Sequence, residues 1–134
     1  MEKTTVLNLV ITSYLEPEYV EQIRQVDPRL NVIYRPELIP SPRYAADHTG
    51  IPPKLSPAQE AEWQQILGQA DILFDFDYSR MDRLAAAACN TRWIQATSAG
   101  IGQMVHRMRF AETMPGCVFT TASGVHARPL AEFV

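Results

Sequence analysis

Apolar residues fall along this chain in two alternating rhythms. Between Thr4 and Thr12, Val6, Leu7, Leu9, Val10 and Ile11 form a nearly unbroken apolar run. That pattern predicts a strand covered on both faces. Glu16-Pro17-Glu18 then opens a helix, with proline early and acid in the first turn. Tyr19, Ile23 and Val26 are its expected buried stripe, and Asp27-Pro28 its stop. Asn31 to Tyr34 reads as a second strand. Ser56 as N-cap, Pro57 and Glu60 start another helix, with Trp63, Ile66 and Leu67 inward and Gly68 as the expected C-cap. Ala70 to Phe76 is a third strand, and Met81, Leu84, Ala85 and Ala88 mark a helix starting near Asp77 or Ser79.

The longest local signal is Trp93-Ile-Gln-Ala-Thr-Ser-Ala-Gly-Ile-Gly102. Trp93, Ile94 and Ala96 are strand material; Thr97, Ser98 and the two glycines are turn material. Ile101, Met104, Val105 and Met108 follow at i, i+3, i+4 and i+7, one face of a helix. Pro115-Gly116 breaks the chain before a fifth strand, Val118 to Thr121. A polar turn follows, and Ala127-Arg-Pro129 opens a last helix. There Leu130, Phe133 and Val134 begin an apolar face with no stop signal. This predicts that the 134 residues are the N-terminal piece of a longer protein, cut within a connecting helix.

Strands alternating with helices predict a parallel sheet covered on both faces. Five strands with single helical crossovers predict the flavodoxin-like, three-layer α/β/α class with strand order 2-1-3-4-5. In such sheets ligands sit beyond the C-terminal strand ends, where the turns 97–102 and 121–126 fall. A strand-to-helix turn leaves main-chain N–H groups without partners, and these suit a carboxylate or phosphate. Residues 35–56 break the rhythm, with Pro36, Pro40, Pro42, Pro52 and Pro53. They read as a stiff surface loop holding Arg35, Arg43, Tyr44 and His48, any of which could close over a ligand.

Composition narrows the partners. A net charge of -3 with only two lysines offers no basic patch for nucleic acid or anionic lipid. No apolar run reaches membrane-spanning length and no signal pattern opens the chain, so a cytoplasmic protein is the default. Cys89 and Cys117 lack CxxC spacing, and the three histidines have no ligand spacing, so no metal is expected. Gly100-Ile-Gly102 begins a dinucleotide fingerprint, but Val105 stands where its third glycine belongs. Asp75 and Asp77 occupy the phosphoacceptor region of a receiver domain, yet Ile11-Thr-Ser-Tyr14 and Thr121-Ala-Ser-Gly124 lack its acidic pair and lysine. One of these aspartates is expected to cap the following helix.

Residues 93 to 134 carry a more specific combination: Ser-Ala-Gly-Ile at 98–101, Ala-Ser-Gly-Val-His-Ala at 122–127, and Pro-Leu-Ala-Glu-Phe-Val at 129–134. Together they resemble the N-terminal substrate-binding domain of the NAD-dependent D-2-hydroxyacid dehydrogenase family. The resemblance implies that residues 1–127 are that domain. Residues 128–134 would then start the helix leading to a Rossmann domain outside this chain. It implies that the amides of Ala99 and Gly100, next to Ser98, hold the carboxylate of a small 2-oxo or 2-hydroxy acid. It also implies that NAD or NADP and the catalytic Arg, Glu and His belong to the second domain, through which the parent usually dimerises. The turn Ser123–His126 matches the family's segment at the cleft, with Ser123 where many relatives carry Arg; His126 is not assigned as a catalytic base. The chain alone is expected to position a substrate without reducing it. The alternative is a stand-alone flavodoxin-like module, receiver-like or a small-ligand sensor, with no catalysis. The coding sequence downstream of codon 134 separates the two.

Overall fold

A computed structural model describes residues 5–134. Five strands form one parallel sheet: β1 (Leu7–Ile11), β2 (Leu30–Tyr34), β3 (Ile72–Phe74), β4 (Trp93–Gln95) and β5 (Val118–Thr120). Their order is β2-β1-β3-β4-β5, the flavodoxin-like arrangement that the alternation predicts. The expected start of β1 at Thr4 lies outside the described residues. The helices are α1 (Pro17–Arg24), α2 (Pro57–Gly68), α3 (Met81–Ala87), α4 (Gly102–Arg107), α5 (Phe110–Thr113) and α6 (Ala127–Phe133). Among the described residues no helix is long and apolar enough to cross a membrane.

Because side chains alternate along a strand, the sheet separates two cores. Leu9, Ile11 and Ile72 face α1, where they bury Val20 together with Val32. Val10, Leu73 and Ile94 face the other way and pack with Trp63, Ile66 and Leu67 of α2, Leu84 of α3 and Phe110 of α5. The rings of Phe76, Phe110 and Phe119 lie almost parallel, with centroids 5.9–6.3 Å apart. On the α1 side the far end of the sheet is bare, leaving Trp93 40% and Val118 59% exposed.

Several local expectations change. The stripe of α1 is Val20 with half-buried Ile23; Tyr19 and Val26 are exposed. The helix ends at Arg24, before it can carry Val26, and Tyr19 then lies one position round the cylinder from Val20. Ser56 forms the expected cap, completed as a capping box by Gln59. Gly68 is not a left-handed cap. It is the last helical residue, Gln69 follows in right-handed conformation, and the Gly68 carbonyl accepts from Asn90 Nδ2 at 2.7 Å. Neither Asp75 nor Asp77 caps a helix with its side chain. The helix expected over Ile101–Met108 is shorter, because Arg109 takes a left-handed turn (φ 55°) and the separate α5 follows.

The segment 35–56 is a closed structure rather than a free lid. Leu38 and Ile39 are buried in the core. Ser41 and Ile51 exchange main-chain hydrogen bonds, at 2.8 and 3.0 Å, so the chain between them forms a loop closed at its base. Inside, Asp47 accepts from Arg43 Nε at 2.7 Å and from the Gly50 amide at 3.1 Å. These bonds hold its carboxyl well below the usual carboxylate range. Gly50 has φ +60°, and a Cβ there would sit 2.5 Å from the Ser41 carbonyl oxygen, so only glycine fits.

The junction between β3 and α3 holds a buried charge. The Asp77 carboxylate, wholly buried, accepts from Trp63 Nε1 at 2.8 Å and Ser79 Oγ at 2.8 Å, and pairs with Arg80 Nη1 at 3.4 Å. Arg80 reaches on to Glu60 at 3.2 Å, latching α2 to this junction. Trp63→Phe keeps an aromatic ring but removes one donor from a buried carboxylate. The expected loss is about 1–3 kcal/mol, read by chemical denaturation; an unchanged midpoint would show that the bond does not hold α2 in place.

Candidate functional site

The strand exits of a parallel sheet gather along one edge. Here Ser13 follows β1, Phe74 ends β3, Thr97 follows β4 and His126 follows β5, and all four line one crevice of about 260 Å³. Leu15 and Phe74 give it apolar walls, and Glu16 stands at its side. The loop between Ser41 and Ile51 contributes His48, whose Nε2 lies 3.5 Å from Ser98 Oγ. Of the four loop residues expected to approach a ligand, His48 alone lines the crevice. Arg35 is held by Glu37 and Glu62, and Arg43 by Asp47. Tyr44 is 64% exposed beneath the Arg43 guanidinium.

The Ser98–Gly100 turn follows directly on Thr97, which lines this crevice, and meets the lining His48 through Ser98 Oγ. Ser98 is half-buried, and Ala99 and Gly100 are exposed. The Ser98 carbonyl accepts from the Ala122 amide at 3.2 Å, which joins this turn to the one after β5. The Ala99 carbonyl accepts from Ile101 N at 3.2 Å. Among the described residues, the main-chain N–H groups of Ser98, Ala99 and Gly100 donate to no protein acceptor. Polar hydrogens at a surface without internal partners are open to water or to an anion. The donors come from the turn itself. Helix α4 has six residues and no side-chain cap, so its dipole adds little.

Behind the turn sits a second wholly buried carboxylate, Asp75. It accepts from Thr97 Oγ1 at 2.8 Å and Tyr78 Oη at 3.2 Å. Tyr78 also packs at 5.8 Å against the His48 ring. Burial first, and the Asp75 charge second, push the Tyr78 hydroxyl up to about 12, with the nearby Ser98 hydroxyl opposing. From sequence, Asp75 is weighed with Asp77 as a receiver-like position and as one of two candidate helix caps, and Tyr78 is unassigned. A charged residue straight after an apolar strand was the available signal.

Other chemistries do not find their geometry here. Asp75 and Asp77 are both wholly buried and bonded within the protein, so neither is accessible as a phosphoacceptor. The glycine pair at 100 and 102 leads into a helix of six residues with Val105 on it, which does not fit the cradle of a dinucleotide. Among the described residues no group of three or more His, Cys, Asp or Glu is placed to hold a metal ion. Roomier hollows lie elsewhere, one of about 350 Å³ at the opposite sheet edge between Cys89, Arg92 and Cys117, and one of about 480 Å³ beside α4 and α5. Neither gathers strand exits. Both cysteines are free, and burial pushes the Cys117 thiol up to about 11, which leaves it a poor nucleophile at neutral pH.

Comparison with known proteins finds no matching family model, no similar curated protein and no similar solved structure.

Tyr78 offers a spectroscopic handle on the site. A tyrosine whose folded pKa is raised contributes stability that is present below pH 10 and is lost as pH rises toward 12. Absorbance titration of tyrosinate is therefore expected to show a late-titrating component near 12 that Tyr78→Phe removes. A Tyr78→Phe curve identical to the parent's would place Tyr78 outside the buried network.

Proposed function

We propose that this chain is the substrate-binding domain of a D-2-hydroxyacid dehydrogenase, holding the carboxylate of a small 2-oxo or 2-hydroxy acid on the amides of the Ser98–Gly100 turn. The observation that carries the reading is the run of three main-chain donors without protein acceptors, beside the crevice that the strand exits form. The resemblance of residues 93–134 to that family supports the same turn. In this reading the carboxylate accepts from Ala99 and Gly100, flanked by the Ser98 hydroxyl. The rest of the acid extends toward Leu15 and Phe74, with His48 closing the loop side.

The amides orient the acid, and that is what this chain contributes. Two charge-assisted bonds supply about 1.5–3 kcal/mol each. Reduction requires lowering a barrier by at least about 8 kcal/mol with groups acting in the transition state. By the resemblance, the dinucleotide, NAD or NADP, would be bound by a second domain outside this chain. The catalytic Arg, Glu and His would come from that domain as well. Joined to it, the protein is expected to oxidise NAD(P)H with glyoxylate, hydroxypyruvate or a longer 2-oxo acid.

The direct test is amide NMR. Pyruvate added to the chain should shift the Ser98–Gly100 amides with a Kd of about 1 mM, the value that roughly 4 kcal/mol supports, whereas pyruvamide, which lacks the carboxylate, should not. Gly100 is not in a left-handed conformation, and a Cβ there meets no atom within 4 Å. Gly100→Ala should therefore change stability by less than about 0.5 kcal/mol, while the bulk of Gly100→Val should weaken pyruvate binding. Unmoved amides at roughly ten times the expected Kd would remove the turn from the site.

A further inference from the structure

We propose that Asp75 is a positioning residue, and that its buried carboxylate fixes the backbone of the Ser98–Gly100 turn by holding Thr97 at the turn's entrance. The inference rests on the carboxylate-binding reading above for its functional meaning, and on geometry alone for the tether itself.

Asp75 has no solvent exposure, and among the described residues no cation pairs with it. A buried carboxylate without a counter-ion persists only where hydrogen-bond donors meet its oxygens. Its donors are few and pointed. Thr97 Oγ1 meets Oδ2 at 2.8 Å, and Tyr78 Oη meets Oδ1 at 3.2 Å. The Thr97 amide approaches Oδ1 at 3.5 Å. Two of the three come from the residue immediately before the turn.

The backbone at Asp75 is also committed to this contact. Its N–H donates to the Gln95 carbonyl at 2.7 Å, carrying the β3–β4 ladder one residue further. Its φ of +72° then bends the chain out of the sheet. Side chains rarely adopt that region, and Asp and Asn are among those that tolerate it. The same bend returns Tyr78 toward Asp75, and Tyr78 in turn packs against His48. A residue serving only to end a strand needs neither a buried charge nor a left-handed backbone.

Downstream, the turn is held by the Ser98 carbonyl bond to Ala122 and the Ala99 carbonyl bond to Ile101. Gly100 touches nothing through its missing side chain. Upstream, the ladder ends with the Ala96 amide donating to the Thr120 carbonyl at 2.9 Å, and the Asp75–Thr97 pair is the side-chain anchor between that bond and the turn. Holding the amides in place before the acid arrives removes an ordering cost from binding. Because the Thr97 hydroxyl donates its proton to Asp75, it has none to give the carboxylate of the acid.

Thr97→Val keeps the shape of the side chain and deletes the hydroxyl donor; Thr97→Ser restores the donor. Asp75→Asn keeps tolerance of the left-handed backbone while replacing one acceptor with a donor, and it serves if Thr97→Val does not fold. ¹⁵N relaxation of Ser98, Ala99 and Gly100 reports order in the turn, and pyruvate titration reports affinity. In Thr97→Val and Asp75→Asn, order parameters are expected to fall from about 0.85 toward 0.6. Pyruvate binding should weaken about fivefold, with both properties recovered in Thr97→Ser. Unchanged order parameters in the folded variants would overturn the tether. A loosened turn with unchanged pyruvate affinity would overturn its role in positioning. A turn that loosens in the variants while the parent chain ignores pyruvate would support the tether and sink only the ligand.

Discussion

All five strands run in the same direction, and that single constraint decides where chemistry can occur. A parallel sheet places each strand's exit on one edge, and each exit must turn before the next helix can cross back. Four exits thereby meet around one crevice, although Ser13 and His126 are 113 positions apart in the chain. After β4 the amides of three successive residues, Ser98, Ala99 and Gly100, donate to no protein acceptor among the described residues. The two cores on either face of the sheet keep this edge in register. The crevice is thus a property of the sheet, not of any one motif.

Two carboxylates are buried within three residues of each other, and their surroundings differ in kind. Asp77 sits beside a guanidinium and an indole N–H and joins α2 to α3. Asp75 is met by a threonine and a tyrosine and faces the turn. Removing either would strand uncompensated partners. The consequences would fall in different places: on helix packing for the first, on the strand-exit edge for the second. Sequence position alone does not distinguish them, since the sequence reading assigns either to the same capping role.

The elements that could be read in advance are those governed by local rules. Ser56-Pro57 with Gln59 and Glu60 places a helix start without reference to anything distant. The apolar run at Leu7–Ile11 requires cover on both faces, and receives it. Strand order follows from connections that are short and right-handed. What could not be read depends on partners far along the chain. The carbonyl of Gly68 is satisfied by Asn90, so no left-handed cap forms. Arg35 and Arg43 look free in a proline-rich stretch, yet each has a carboxylate partner. His48 meets Ser98 across fifty residues. The turn at Ser98–Gly100 was visible as turn chemistry; the carboxylate behind it was not, because Asp75 acts through Thr97, twenty-two residues later.

The closed base of the 41–51 loop has a consequence for how this protein could diversify. The Ser41 carbonyl leaves no room for any side chain at Gly50, and Asp47 is occupied on both oxygens. The frame of the loop is therefore rigidly prescribed, while the solvent-facing Tyr44 and Ala45 are under no comparable packing restriction. His48 hangs inside that frame with its ring toward the crevice. Exchanging that one side chain would reshape the crevice wall without disturbing the scaffold that carries it, so homologues with altered selectivity should differ there before they differ in loop length.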